Sequence, residues 1–529
     1  MRTRNWLGFG LVNILAVAAL ATWSEPVAAQ ARPQAADTFK CNMLHAEQMV
    51  AGSTDLTSSD PKKLTPVNDS TKDLILKSGL PCDAINIPDG PVPGTPAVAN
   101  RQRGFDFYSW LTFIALNAPT DDPTGIAKSS PDSKAVWEDG KMFKPLLDVM
   151  LANNEVPTWE KAVIPPACQS LYDERKREHK DRMLVKMIEE SFNEPFKTGA
   201  LIDQHNNYAI FDILMNRVMF DYIVDHRLYN QQGQKSDENA NLRVDFLGGH
   251  HDKMTGLGDP GAIMLKVSWK ILTDQDDKRK FHHVEALVAM PENSDEKGTP
   301  PCIERTLGLV GMHIVHKTVN RPQWIWTSFE HADNVPEVKE VQAHDFKKKH
   351  YNFFDPACNA QKCPINATPP RPWDPEYAAH LQFHKMADGK QFHSQIVRLV
   401  NLTDETNTMN RQFQSILSKT VWANYIMIGT QWPSSFPCTG DHSIISGAPV
   451  PKTDFDKQPD MNCAPAPTFL ANSTLETFSQ GKIPQASSSC MACHGNATGY
   501  LRRSASGTDE QQQKFMNQSD FTFMLEKAR

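Results

Sequence analysis

Five residues near the C-terminus, Cys490-Met491-Ala492-Cys493-His494, constrain the fold of this 529-residue chain more than any other stretch. Two thiols three positions apart, with an imidazole directly after the second, must be presented together beside space for whatever they hold. Three chemistries use such spacing. A CxxC pair can cycle between dithiol and disulfide, or form half of a zinc site, or each thiol can add across a vinyl group of one haem. A redox CxxC belongs with a βαβ pattern, and a zinc site needs a second ligand pair; neither accompanies the motif. The C-x-x-C-H spacing therefore reads as covalent attachment of a single haem c through Cys490 and Cys493. His494 is then the proximal iron ligand.

The other end of the chain names a compartment. Arg2 and Arg4 precede an apolar run from Trp6 to Trp23, broken by Asn13 and Thr22. Pro26 to Ala31 then offers small residues for a cut after Ala29 or Ala31, so residues 1–29 read as a secretory signal peptide. The alternative is an uncleaved anchor, because the run approaches the ~18 residues a membrane span requires. Arg2-Thr3-Arg4 is not a twin-arginine pair, which favours the general export route. With haem c, export predicts a periplasmic protein. No later stretch is long and apolar enough to span a bilayer, so no membrane span is expected in the mature protein. Cleavage removes Arg2, Arg4 and Glu25 and moves the formal charge from −7 to −8. A mildly acidic chain without a basic tract is not built for nucleic acid or an anionic membrane surface.

Eight further cysteines fit up to four disulfides in an oxidising compartment. Proximity favours Cys358–Cys363 and Cys438–Cys463 in Pro-rich segments, and Cys41–Cys82 as an N-terminal clip. Residues 30–100 are rich in Pro, Ser, Thr and Asp and read as a loosely structured segment. Residues 101–470 form the body. Within it, Phe105 to Asn117 favours helix slightly over strand, and Leu171 to Phe192 reads as an amphipathic surface helix. Tyr208–Met215 reads as a strand and Arg217–Tyr229 as a helix. Ile263, Leu265, Val267 and Trp269 alternate with Met264, Lys266 and Ser268, the period-2 mark of a strand. Further strands are expected at Phe281–Met290, Leu307–Lys317, Gln323–Phe329 and Gln395–Leu402, at spacings that suit antiparallel connections. Ser415–Ile428 reads as a helix ending at Gly429. Residues 471–529 form a short, mainly helical haem-bearing segment, opening with a capped helix over Asn472–Phe478. The fold class is α+β: a body with antiparallel sheet and surface helices, plus this segment.

A second unusual run lies between Gly308 and Asn334, which holds His313, His316, Trp324, Trp326, Glu330 and His331. On a strand, His313 and His316 point to opposite faces, while His313 and His331 can meet across a hairpin. These three histidines are candidates for proton transfer, a metal or a distal haem ligand. The competing reading is a core hairpin with hydrogen-bonded imidazoles. His282-His283 reads as a partly exposed pair on a strand edge. Only 35 residues follow His494, and their sulfurs are Met516 and Met524. Met524 lies in a packed Phe521–Leu525 element, which leaves Met516 as the local distal ligand. A ligand lent by the body, or an open position, is the alternative. His/Met ligation suits electron transfer, whereas an open site permits oxidation chemistry.

The chain resembles a group of exported bacterial proteins described only as cytochrome c family proteins. The resemblance lies in Trp110–Asn117, Gly311–Thr318, Trp324–His331 and Asn472–Phe478 before Cys490–His494, and covers most of the mature length. It implies haem c and no further activity. The expected function is electron transfer by a periplasmic mono-haem cytochrome with a redox partner protein. The alternatives are a haem c-dependent oxidoreductase with a small-molecule substrate pocket in the body, which is large for carrying one electron, and a haem-based sensor or binding protein.

Overall fold

The computed structural model describes residues 40–43, 69–84, 97–120, 125–151, 155–178, 184–187, 198–240, 242, 244–289, 302–348, 350–358, 363–369, 394–433, 465–467, 469–481, 488–495, 497–501 and 519–529. The expected signal peptide, much of 30–100, the Cys438–Cys463 pair and Met516 lie outside the described residues.

Six strands form the middle of one sheet: β1 (Ile210–Asn216), β2 (Ile263–Ile271), β3 (His283–Ala289), β4 (Cys302–Thr318), β5 (Arg321–His331) and β6 (Tyr425–Pro433). The 17-residue β4 is the hub. Along one edge it pairs with β2 between Leu307 and His316. Along the other, β3 takes its first half and β5 its second. β1 extends the sheet beyond β2, and β6 extends it beyond β5. These pairings are antiparallel, as expected, but the sheet is mixed: Leu184–Met187 runs parallel to β3, and Gly249 pairs in parallel with Thr318. The class is α+β.

Register divides the side chains between two faces. Leu265 and Val267, Met312 and Ile314, and Ile325 and Phe329 pack toward helix α1 (Ala97–Leu116). This helix buries Phe105, Phe107, Tyr108, Trp110, Leu111, Phe113 and Ile114. Such all-round burial explains its mixed apolar spacing, since a helix covered on every side needs no polar stripe. Trp110 stacks on Phe413 of helix α3 (Asp404–Ile416) at 4.8 Å, and Phe113 stacks on Phe329 of β5 at 4.1 Å. Helix α2 (Arg217–Asp225) follows β1, its Asn216 side chain capping the first turn.

The opposite face is graded. Its rows, read across β2, β4 and β5, are Met264–Val315–Trp326, then Lys266–His313–Ser328, then Ser268–Gly311–Glu330. It runs from apolar to polar within three rows, and the C-terminal residues lie on it.

Several local expectations yield to tertiary pairing. The helix expected over Leu171–Phe192 ends at Arg177, and Leu184–Met187 instead extends beside β3. The helix expected over Ser415–Ile428 lies earlier, because Thr403 caps it and Asp404 and Glu405 fill its first turn. Tyr425 onward is recruited as β6 by β5. Gln395–Leu402 forms no strand; its Arg398 makes one isolated bridge to Glu337 and directs its side chain to Glu330. Cys41–Cys82 and Cys358–Cys363 are joined as expected. A third disulfide, Cys168–Cys302, ties the start of β4 to a residue 134 positions earlier. Closing a loop of that size restricts the unfolded chain by roughly 4–5 kcal/mol. Among the described residues, no helix is long and apolar enough to cross a membrane.

Candidate functional site

The polar rows of the sheet bind the chain that leads to the cysteines. Asn472 Nδ2 donates to Ser328 Oγ at 3.0 Å and to the Phe329 carbonyl at 2.9 Å, while its Oδ1 accepts from the Thr474 amide and hydroxyl. The Ser473 amide and hydroxyl both donate to the Glu330 carboxylate at 2.5 Å, which also takes Arg398 at 2.8 Å. Thr474 Oγ1 lies 2.8 Å from Ser268 Oγ, directly over Gly311. A Cβ on Gly311 would come within 2.2 Å of that hydroxyl, so glycine is what allows the approach. Glu476 ends the segment: Oε2 accepts from the Asn472 amide at 2.9 Å, and Oε1 meets His313 Nε2 at 2.8 Å. The expected helix over Asn472–Phe478 is thus replaced by a turn and a single 3₁₀ turn at Thr477–Ser479.

The motif itself forms the short helix α4 (Cys490–His494). Ser489 caps it, accepting from the Ala492 amide at 3.3 Å. Gln431 of β6 accepts from the Met491 amide at 2.8 Å and from Ser489 Oγ at 3.2 Å. Met491 is buried beside Trp326, Phe521 and Met524. Burying a side chain of this size contributes about 1.5–3 kcal/mol, so the turn is anchored from below. Positions i and i+3 of one helical turn share a face, which brings Cys490 and Cys493 together. Both are free, partly exposed thiols. Burial, reinforced by the Glu476 charge, raises both and pushes Cys493 up to about 11. They are thiols, not thiolates, at neutral pH.

His494 lies between Trp326, 4.5 Å away, and Phe523, 5.0 Å away. Its Nδ1–H donates to the Phe521 carbonyl at 2.8 Å. A carbonyl only accepts, so Nδ1 must carry the proton and Nε2 keeps its lone pair. Among the described residues, none is hydrogen-bonded to Nε2. Burial holds the imidazole down at about 4, hence neutral at pH 7. The carbonyl comes from a tight turn in which Asp520 (φ 48°) and Phe521 (φ 63°) both adopt the left-handed region, at a cost of about 1–3 kcal/mol each.

This donor set fits a thioether-linked haem: two adjacent free thiols, and a neutral imidazole fixed in the tautomer that leaves Nε2 for iron. It fits the other chemistries less well. Cys490 and Cys493 are raised, not lowered as the thiols of a redox CxxC are, and among the described residues no three His, Cys, Asp or Glu side chains converge as ligands of one ion.

The three histidine candidates separate. His313 shares the face of the motif, and its Glu476 partner is within electrostatic reach of Cys490, Cys493 and His494, as is Lys266. Burial pushes the Glu476 carboxyl up, but His313, Lys266 and the Asn472 amide together outweigh this and hold it below the ordinary carboxylate range. His316 is on the opposite face, where its Nε2–H donates to the Pro260 carbonyl and Tyr108 donates to Nδ1. His331 donates from Nε2 to the Lys280 carbonyl at 3.0 Å and accepts at Nδ1 from the Asp333 amide at 3.1 Å. Burial holds these two neutral, at about 4 and about 3. His313 and His331 do not meet: Ser328, not His331, lies opposite His313. His282, expected on an edge, is instead fully buried among Trp137, Trp269 and Trp422 and bonded to Glu138 at 2.7 Å; His283 is half-buried. Glu476 and the Phe521 carbonyl were missed by sequence reading. A capping-type Glu gave a faint signal, whereas a backbone carbonyl gives none.

No protein-family model, curated protein or solved structure matches the chain.

Proposed function

We propose that this chain is an exported, periplasmic mono-haem c-type cytochrome that takes part in electron transfer. Cys490 and Cys493 carry the two thioether links, and His494 Nε2 is the proximal ligand. The observation that carries this reading is the Nδ1–H bond from His494 to the Phe521 carbonyl beside two free thiols. A redox CxxC has no use for a tautomer-locked imidazole, and a zinc site, which could use one, lacks a converging ligand set among the described residues. When bound, the haem supplies one-electron chemistry at its iron. The chain's own residues do the rest. Met491 and Gln431 seat the turn, Trp326 and Phe523 flank the imidazole, and the docked Asn472–Glu476 segment fixes the approach. Met516 is proposed as the distal ligand, a redox protein as the partner, and residues 471–529 as the haem-bearing segment. The resemblance to exported cytochrome c family proteins points the same way.

A second reading, a haem c-dependent oxidoreductase, is favoured by one observation. The His313–Glu476 pair beside the thiols is a proton-transfer pair that carrying a single electron does not require.

Purified protein from a host that matures c-type haem decides the first point. Its haem should resist acid-acetone extraction and give the pyridine haemochrome band of two thioether bonds. Extractable haem, or none, would sink the reading. Carbon monoxide separates the two roles: a reduced, low-spin spectrum indifferent to CO supports electron transfer, and a CO-binding high-spin spectrum supports the oxidoreductase.

A further inference from the structure

The turn that holds His494 has its own anchor. Asp520 Oδ2 accepts from Lys317 Nζ at 2.6 Å and from the Phe246 amide at 2.8 Å, and Oδ1 accepts from Trp324 Nε1 at 3.3 Å. Lys317 also reaches Asp245 at 2.5 Å. The side chains of Lys317 and Asp520 are only 4% and 7% exposed. Lys317 lies on β4 on the same face as His313, and Trp324 and Trp326 lie on β5. The β4–β5 hairpin therefore touches the imidazole with Trp326 and its hydrogen-bond acceptor turn with Lys317 and Trp324.

Most buried ion pairs contribute little net stability, because desolvation offsets attraction. This one sits one residue from the Phe521 carbonyl, in a turn whose left-handed backbone at Asp520 and Phe521 needs an external hold. We propose that Lys317 and Asp520 are positioning residues for His494: their ion pair pins the 520–521 turn so that the Phe521 carbonyl keeps the Nδ1 proton and Nε2 remains a strong donor. The inference rests on the haem reading above. A firm Nδ1–H bond raises the basicity of a ligating imidazole and so favours ferric over ferrous iron. Loosening the turn should raise the midpoint potential.

The test uses the full-length, haem-loaded protein and two variants, Asp520→Asn and Lys317→Gln. Haem staining after denaturing electrophoresis comes first; if the unsubstituted protein carries no covalent haem, the underlying reading fails and the positioning role falls with it. With haem attached, redox titration decides. A simple through-space charge effect predicts opposite signs, since Asp520→Asn removes a negative charge and Lys317→Gln a positive one. Positioning predicts that both raise the reduced-to-oxidised ratio several-fold at a fixed ambient potential. Asp148→Asn, in the buried Lys144–Asp148 pair elsewhere in the body, should lose stability without moving the potential. Opposite signs, or an unchanged potential in either folded variant, would overturn the proposal. Should Asp520→Asn fail to fold, Lys317→Gln alone carries the decision: up supports it, unchanged or down refutes it.

Discussion

His494 and His331 are both imidazoles held low by burial, and each donates one N–H to a backbone carbonyl. They differ at the second nitrogen. In His331 it accepts from the Asp333 amide, and His316 is closed in the same way by Tyr108. In His494 no described residue takes Nε2. The second nitrogen of His331 is used up inside the fold, whereas that of His494 has no bond among the described residues. Neither burial nor a lowered pKa makes that distinction.

Four expected outcomes probe the contrast. The largest is all-or-none: Cys490→Ala with Cys493→Ala removes every trace of haem that survives denaturing electrophoresis, while the fold persists because Met491 and Ser489 still seat the turn. Next comes acid. His316 and His331 have folded values near 4 and 3 against an unfolded value near 6.5. The unfolded chain therefore takes up protons first as pH drops. Their contribution is complete above about pH 6.5 and is lost as pH falls toward 4 and then 3, on the order of a few kcal/mol together. Denaturant midpoints measured from pH 7 to pH 4 should fall steadily; a flat profile would refute the closed assignment. Third, His331→Ala leaves the Asp333 amide and the Lys280 carbonyl without their partner and should cost about 1–3 kcal/mol, with the visible spectrum unchanged. The smallest is Glu476→Gln. It keeps a hydrogen bond to His313 but drops a charge beside the thiols, so it should cost about 1 kcal/mol and nudge the midpoint potential upward. His331→Ala should not move the potential at all.

What the sequence revealed follows from how each signal is encoded. β2 announced itself because Lys266 and Ser268 interrupt its apolar residues on one face. β6 did not, because Ile426, Met427 and Ile428 carry no alternation, and the partner that makes them a strand is β5. The Thr403 cap is encoded locally, but the apolar run after Ser415 is the stronger local helix signal. The Cys490–His494 motif was legible because its three side chains lie within five consecutive residues. Its supports were not: Phe521 acts through a backbone carbonyl 27 residues away, and Lys317 through an ion pair across 203 residues. The expectation that His313 and His316 face opposite ways held, since strand periodicity alone dictates it. Which face meets the cysteines was a matter of register and could not be read locally.

The Asn472–Glu476 segment joins the sheet through side-chain hydrogen bonds over Gly311, not by adding a strand. This fixes an order of events. Its acceptors and donors, Ser328, Glu330, Ser268 and His313, converge only once β2, β4 and β5 are in register, so the platform must assemble before the tail can settle on it. The tail also follows β2, β4 and β5 in chain order. Until those strands pair, the turn that carries Cys490 and Cys493 has no seat, because Gln431 and Trp326, which hold it, belong to the same sheet.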